Sequence, residues 1–300
     1  LFPNHYSLAT GAYTQTHMLT GNSFYDQKFK EIYSIGDRET VQDPKWYQAE
    51  PIWVTAERQG VRAASFFWVG SEAPIKGLSP SITKMYDGSV PFESRVDSVI
   101  QWLQLPEEKR PHLIMLYFSE PDHVGHVSGP ESAETDSVIL DMDQLLGKLL
   151  DGVKSLSISD QFNLVIVSDH GMTALNKDKY VIIDDYLNDV NDYYLDIVGP
   201  YAQVTAKSWI SRLFIGKKLS TMPSVAVYAK RNIPDRYHFV NRNTGDFLIV
   251  ADKGWTIMDQ NRFDKRGGPE GGNHGFAPEI KELHAIFYAM GPKIKEGLMI

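Results

Sequence analysis

The sequence predicts an α/β fold, one catalytic domain over residues 1–300 with a largely parallel sheet covered by helices on both faces. Three observations predict it. Short β-branched or aromatic runs recur at residues 52–56, 61–68, 113–118, 163–167, 247–251 and 284–289. Such near-continuous apolar runs suit strands buried on both faces of a parallel sheet. Between two of them, Val138, Met142, Leu145, Leu146, Leu149 and Val153 repeat at the three-and-four spacing of one buried helix face. Finally, 300 residues with 42% hydrophobic content are enough for one large core, because α/β chains of this length often form a single domain.

Taken in order, the runs and the helix follow the strand, helix, strand order of a βαβ unit, with Gly129-Pro130 as punctuation before the helix. Ligands in open α/β sheets gather beyond the carboxyl ends of strands. The run at 113–118 leads into Glu120-Pro121-Asp122, and the run at 163–167 leads into Asp169-His170-Gly171-Met172. Residues 184–209 and 232–266 are polar and aromatic mixtures, read as small insertions or a cap. There is no internal repeat, low-complexity tract or clear linker.

Composition narrows the chemistry. A net charge of −8 argues against a broad nucleic-acid surface, which needs clustered Lys and Arg. With no cysteine there is no disulfide, thiol nucleophile or thiolate ligand, so any metal must be held by His and carboxylate. No apolar run of about 18 residues marks a transmembrane segment. The opening residues lack the basic and apolar regions of a signal peptide, and the chain is expected to begin, and to end, inside a longer protein.

Three segments carry candidate ligands. Asp122 and His126 are four residues apart, a spacing that one helical turn aims at a single point. Asp169-His170 sits at a strand end. In Gly271-Gly272-Asn273-His274-Gly275 the glycines free the backbone to approach a crowded centre. For two Asp and three His with no sulfur, zinc is the first choice and manganese or iron the second. His112, His238 and His284 lie outside these segments and read as packing or surface residues, and His123 points away if Asp122 and His126 share a face.

These residues bring a family into view. Phe2-Pro3-Asn4-His5-Tyr6, Thr10-Gly11, His17 and Asn22 resemble the nucleophile segment of nucleotide pyrophosphatase/phosphodiesterases, type I phosphodiesterases of the alkaline phosphatase superfamily. The likeness continues through residues 51–56 and 67–72, Lys84-Met85-Tyr86, Glu120-Pro121-Asp122, Asp169-His170-Gly171-Met172 and Asn273-His274-Gly275, spanning the chain in order. The resemblance implies an alkaline-phosphatase-like core and two Zn2+ ions. Asp122, His126 and His274 match the ligands of one zinc; Asp169 and His170 match ligands of the other, which in the family also takes an upstream Asp absent here. Asn22 matches the residue that holds non-bridging phosphate oxygens. Phe2 and Tyr86 match the aromatic pair around a nucleobase, with Trp68 and Glu72 lining the same pocket. Val69 departs from the family's proline.

Leu1 stands where the family has its nucleophilic threonine, and leucine has no oxygen to attack phosphorus. Two readings follow: a changed catalytic position, giving a nucleotide- and zinc-binding pseudoenzyme, or, the one favoured here, Leu1 as upstream neighbour of a threonine that this sequence does not contain. By resemblance the complete enzyme hydrolyses phosphodiester or pyrophosphate bonds of nucleotides and their derivatives through a phospho-threonine intermediate. A lysophospholipid-directed phosphodiesterase shares the metals and differs in the pocket. A phosphomonoesterase needs an arginine or third metal that these motifs do not bring, and a sulfatase needs a cysteine or serine at the nucleophile position. The partner is a small-molecule nucleotide or phosphodiester, the protein a monomer or homodimer, and the location periplasmic or extracellular by family analogy.

Overall fold

The computed structural model describes residues 2–187 and 190–299, so Leu1 and the reading of its place in the catalytic motif lie outside the described residues. The chain starts with helix α1 (Phe2–Thr10) and the single turn α2 (Thr14–His17), then the hairpin of β1 (Ser23–Asp26) and β2 (Glu31–Ser34) and the short helices α3 (Arg38–Gln42) and α4 (Ile52–Arg58). Next come β3 (Ala63–Phe66), β4 (Ile82–Lys84), α5 (Phe92–Leu103) and β5 (Leu113–Leu116), leading through α6 (Asp122–Ser128) and α7 (Ala133–Lys154) to β6 (Leu164–Val167). The second half adds β7 (Thr173–Ala174), β8 (Tyr180–Ile182), β9 (Tyr193–Ile197), β10 (Tyr201–Ala206), α8 (Trp209–Leu219), β11 (Val225–Ala229), β12 (Phe247–Ala251) and β13 (Thr256–Met258). Last are α9 (Gln260–Arg266), β14 (Gly272–Asn273) and β15 (Phe287–Met290).

Strands β4, β3 and β5 form a parallel sheet in that order, with Phe66 opposite both Lys84 and Leu116. Parallel strands need crossover connections, and α5 supplies the one that leads from β4 past β3 into β5. All four residues of β3 are buried, and their alternation divides them between two cores. Ala63 joins Tyr6, Trp53 and Met115 beneath α1, while Ala64 and Phe66 join Val99, Trp102, Leu145 and Leu149 under α5 and α7. The sheet is therefore covered on both faces.

Helix α7 starts where Ser132 accepts the Thr135 N–H at 3.2 Å, a side-chain cap reinforced by Glu134 and Asp136 in the first turn. Its buried stripe, Leu145, Leu149 and Val153, packs on α5, and each of these side chains contributes roughly 1.5–3 kcal/mol by leaving water.

Three expectations need correction. Residues 52–56 form helix α4 and not a strand, because Pro51 starts a turn whose Trp53 and Val54 face the core, and a five-residue apolar run has no period to separate the two. Strand β6 pairs antiparallel with β15, and β12 belongs to a four-stranded antiparallel sheet ordered β11-β12-β10-β9. That sheet draws β9, β10 and β12 from the two stretches read as small insertions, and β13 from the second stretch pairs parallel with β8. Together with α8 these segments build a third core around Val204, Ile215, Leu219 and Ile249.

Under α1, His17 is fully buried, accepting the Leu19 N–H on Nδ1 at 3.2 Å and meeting Ser7 Oγ through Nε2 at 2.9 Å. An accepting Nδ1 leaves the proton on Nε2, so the neutral ring satisfies both partners. Burial pushes its pKa down from 6.5 to about 4. The unfolded chain thus takes up a proton that the folded one refuses, and stability falls as pH drops through the unfolded value of 6.5 towards about 4. Between about pH 7.5 and pH 5 this ring alone is expected to cost about 2 kcal/mol. Urea titrations at the two pH values check this: His17→Gln flattens the difference by that amount, and an unchanged slope refutes it.

Candidate metal centre

Helix α6 places Asp122 and His126 one turn apart. Pro121 precedes the helix, Glu120 accepts the Val124 N–H at 3.1 Å, and Gly129 (φ +93°) ends it. At the end of β6, Asp169 and His170 come in adjacent. The strand β14 carries Gly272 and Asn273 against β7, and His274 follows. Two glycines make this approach possible. A Cβ at Gly271 would lie 2.0 Å from His126 O, and one at Gly272 would lie 2.6 Å from Met172 Sδ and 2.7 Å from Gly125 O.

The five side chains lie together. Asp122 Oδ1 is 3.4 Å from His126 Nε2, 3.6 Å from His274 Nε2 and 3.8 Å from His170 Nε2. His170 Nε2 is also 3.2 Å from Asp169 Oδ2, and the rings of His170 and His274 stack with centroids 3.4 Å apart. Among the described residues, Asp122, His126 and His274 form a group able to hold a metal ion.

Asp122 Oδ1 is buried without a hydrogen-bond partner among the described residues. A bare carboxylate oxygen in such a place is costly unless a cation completes it. Bonds of about 2.0–2.1 Å in a tetrahedral site put ligand atoms about 3.3 Å from one another, close to the observed spacings. His126 Nδ1 meets Gly272 O at 2.8 Å, and His170 Nδ1 meets Gly171 O at 2.9 Å. A carbonyl only accepts, so each Nδ1 carries the proton and each Nε2 keeps its lone pair for the centre. For His274, burial and then the neighbouring imidazoles of His170 and His126 push the pKa down to about 2, so this ring is unprotonated at neutral pH. The donor set fits a divalent ion.

Asp169 has a supporting shell that sequence reasoning missed. Burial alone would raise its pKa, yet the imidazoles of His170 and His5 beside it outweigh that and hold the carboxyl far below the usual range. His5 Nδ1 lies 3.2 Å from Asp169 Oδ2, and Asn4 Nδ2 donates to Asp169 O at 2.7 Å. The first turn of α1 is thereby docked on the end of β6. The His5 ring meets the edges of Trp68 and Tyr117, and Trp68 Nε1 donates to His5 O at 3.2 Å. Both residues stand in the quoted Phe-Pro-Asn-His-Tyr run, but the contact joins positions more than 160 apart.

Asn22 Oδ1 accepts the Phe2 N–H at 3.1 Å, which orients its amide towards the start of α1. Phe2 packs 6.0 Å from Tyr33, centroid to centroid. After β3 the chain turns through Phe67, whose φ of +70° is unfavourable for a bulky residue, and the following residues present Trp68 and Glu72. Glu72 pairs with Arg38 and accepts the Tyr86 N–H at 3.2 Å, while the Tyr86 ring packs edge-on against Phe67. Val69, which stands where the family has proline, is buried in the core beneath α1. Arg38 carried no sequence signal. His123 is exposed on α6, His112 reaches Glu107 at 3.2 Å, His238 stacks on Tyr13, and His284 meets Pro278 O; none joins the centre.

Fold and site together define an α/β protein of alkaline-phosphatase-like architecture with an Asp/His metal group at the strand ends. The sequence profile of type I phosphodiesterases/nucleotide pyrophosphatases matches residues 2–277, and the chain belongs to that family. Human ectonucleotide pyrophosphatase/phosphodiesterase family member 1 is 38% identical over 307 residues, covering 99% of this chain and 33% of that protein. Venom phosphodiesterase 2 of Crotalus adamanteus is 34% identical over 311 residues, 98% of this chain and 37% of its own. Among solved structures, murine ectonucleotide pyrophosphatase/phosphodiesterase 5 superposes with a TM-score of 0.89 at 34% identity, over 97% of this chain and 76% of that one. An inactive variant of that murine protein in complex with AMP matches equally well. The chain spans about a third of the length of the curated relatives it matches.

Proposed function

We propose that this chain is the catalytic portion of a hydrolase that cleaves phosphodiester or pyrophosphate bonds of nucleotides and their derivatives. The observation that carries the proposal is the orphaned Asp122 carboxylate oxygen ringed by the three Nε2 atoms of His126, His170 and His274. Asp122, His126 and His274 would hold one Zn2+; Asp169 and His170 would contribute to a second. When bound, such ions supply Lewis-acid stabilisation of phosphoryl charge and lower the pKa of an oxygen nucleophile.

The protein's own residues divide the remaining work. Asn22, with Oδ1 engaged by the Phe2 N–H, has its amide N–H groups to donate to a non-bridging phosphoryl oxygen. The N-terminus of the nine-residue α1 adds a favourable potential for that anionic group. Phe2, Trp68, Glu72 and Tyr86 would form the nucleotide side, Glu72 fixing Tyr86 through its backbone N–H. Arg95, fully buried, is committed to Val90 O and Tyr117 O, which leaves it no part in binding the extra charge of a monoester. In a protein with threonine before Phe2, that hydroxyl would lose its proton and attack phosphorus, the bond to the leaving alcohol or phosphate oxygen would break, and water would then cleave the phospho-threonine to release the product and restore the hydroxyl. The aromatic set and the AMP complex of the murine relative favour a nucleotide over a lysophospholipid.

Hydrolysis of bis-p-nitrophenyl phosphate and p-nitrophenyl phosphate by the zinc-loaded full-length protein, including the residues that precede Phe2, tests this reading. Diester turnover is expected to exceed monoester turnover, with AMP as a competitive inhibitor. Faster monoester turnover overturns it, and AMP binding with neither ester turned over identifies the binding-only pseudoenzyme.

A further inference from the structure

Helix α8 is capped by Ser208, which accepts the Ser211 N–H at 3.0 Å, and lies against β10 and β12 through Ile215 and Leu219. The approach is close: a Cβ at Gly216 would sit 2.8 Å from Phe247 Cζ. Its inner face is thus fully used. A surface helix with a filled inner face ordinarily turns polar residues outward. Here Trp209 is 74% exposed, Ile210 50%, and Leu213 and Phe214 66% each. At about 100° per residue these four fall in an arc of about 140° opposite Ile215 and Leu219. Scattered exposed apolar residues are ordinary, but four large ones on one helix face are a contiguous patch of the kind that marks an interaction surface.

Charge says which surface. On the helical wheel Arg212 and Lys218 flank the apolar arc, Lys217 stands at its C-terminal end, and α8 carries no Asp or Glu. Arg212 reaches Asp246 at 3.5 Å yet keeps its side chain 57% exposed. Exposed Lys207 precedes the helix. This is a local cationic rim on a chain whose net charge is −8. An apolar centre with Trp, bordered by Lys and Arg whose stems can lie along apolar surface while their heads reach outward, is the pattern of a helix lying in a lipid headgroup region. Eleven residues make about 16 Å, well short of the roughly 30 Å hydrocarbon core. No helix among the described residues is long and apolar enough to cross a membrane.

We propose that the outer face of α8 docks in the plane of an anionic lipid surface, with Trp209, Ile210, Leu213 and Phe214 inserted and Arg212, Lys217 and Lys218 at the headgroups. The inference is independent of the nucleotide-hydrolase reading, and its test does not use catalysis. Sedimentation with phosphatidylcholine vesicles, with and without about a quarter phosphatidylglycerol, is expected to bring the protein down only with the anionic vesicles. Leu213→Glu/Phe214→Glu and Lys217→Glu/Lys218→Glu should each lower the bound fraction about tenfold while leaving circular dichroism and Tm unchanged, since all four side chains are exposed. Brominated acyl chains should quench the wild-type fluorescence, and Trp209→Phe should remove that quenching. Failure of the wild type to bind the anionic vesicles overturns the proposal. So does sensitivity to the lysine pair alone, which signals adsorption without insertion. A wild-type dimer converted to monomer by Leu213→Glu/Phe214→Glu would assign the face to a second copy of the chain and overturn it as well.

Discussion

Asp122→Ala is expected to lower kcat/KM for bis-p-nitrophenyl phosphate by about 1,000-fold or more, roughly 4 kcal/mol of transition-state stabilisation. Asp122 Oδ1 is the atom common to the 3.4, 3.6 and 3.8 Å approaches of His126, His274 and His170. Without it the group that would hold a divalent ion keeps only His126 and His274 and loses its one carboxylate. Elemental analysis should show loss of the metal held by this group. The stability of the metal-free protein should move the other way. Because Oδ1 is buried without a hydrogen bond, its removal relieves a desolvation penalty of about 1–3 kcal/mol. Urea titration after chelation should therefore find Asp122→Ala the more stable protein, while in zinc it is the less stable one. Retention of metal and of activity within about tenfold would remove Asp122 from the centre.

The second large effect comes from a residue that touches no metal. Gly271→Ala is expected to weaken metal affinity about 100-fold and to cost about 3 kcal/mol or more in stability. The added Cβ would stand 2.0 Å from His126 O and 2.9 Å from Val127 O, both backbone atoms, at a φ of +75°. Neither side can yield by rotating a side chain. The strand before His274 must separate from α6, breaking the contact of His126 Nδ1 with Gly272 O. Gly267→Ala is the control: its φ of +73° is similar, but nothing lies within 4 Å of the added carbon. It should cost about 1–2 kcal/mol for the left-handed backbone and leave metal affinity unchanged. Zinc titration and urea denaturation of the two variants separate crowding from backbone preference, and wild-type affinity in Gly271→Ala defeats the argument.

Much of the site is written locally. The four-residue spacing of Asp122 and His126 becomes one turn of α6, and Asp169-His170 follows a run that becomes β6. The long amphipathic pattern around Leu145 becomes α7 because 22 residues give its period room to repeat. Short runs were less informative. Residues 52–56 form a helix, and two stretches with no strong pattern supply strands of an antiparallel sheet, because pairing partners far along the chain settled what five residues could not. Contacts such as His5 with Asp169 or Arg38 with Glu72 left no mark in spacing, and the spacing of Trp209, Ile210, Leu213 and Phe214 marks a helix face without saying that it points outward.

The sequence by itself determined the α/β class, the family and the residue types available to a metal, since these depend on composition, local periodicity and short runs of neighbouring residues. Only the tertiary structure decided that one carboxylate oxygen would be left bare among three Nε2 atoms, and that glycines would let two backbones meet behind them. Convergence of segments roughly 150 residues apart is set by close packing of the whole core, which no window of the sequence contains.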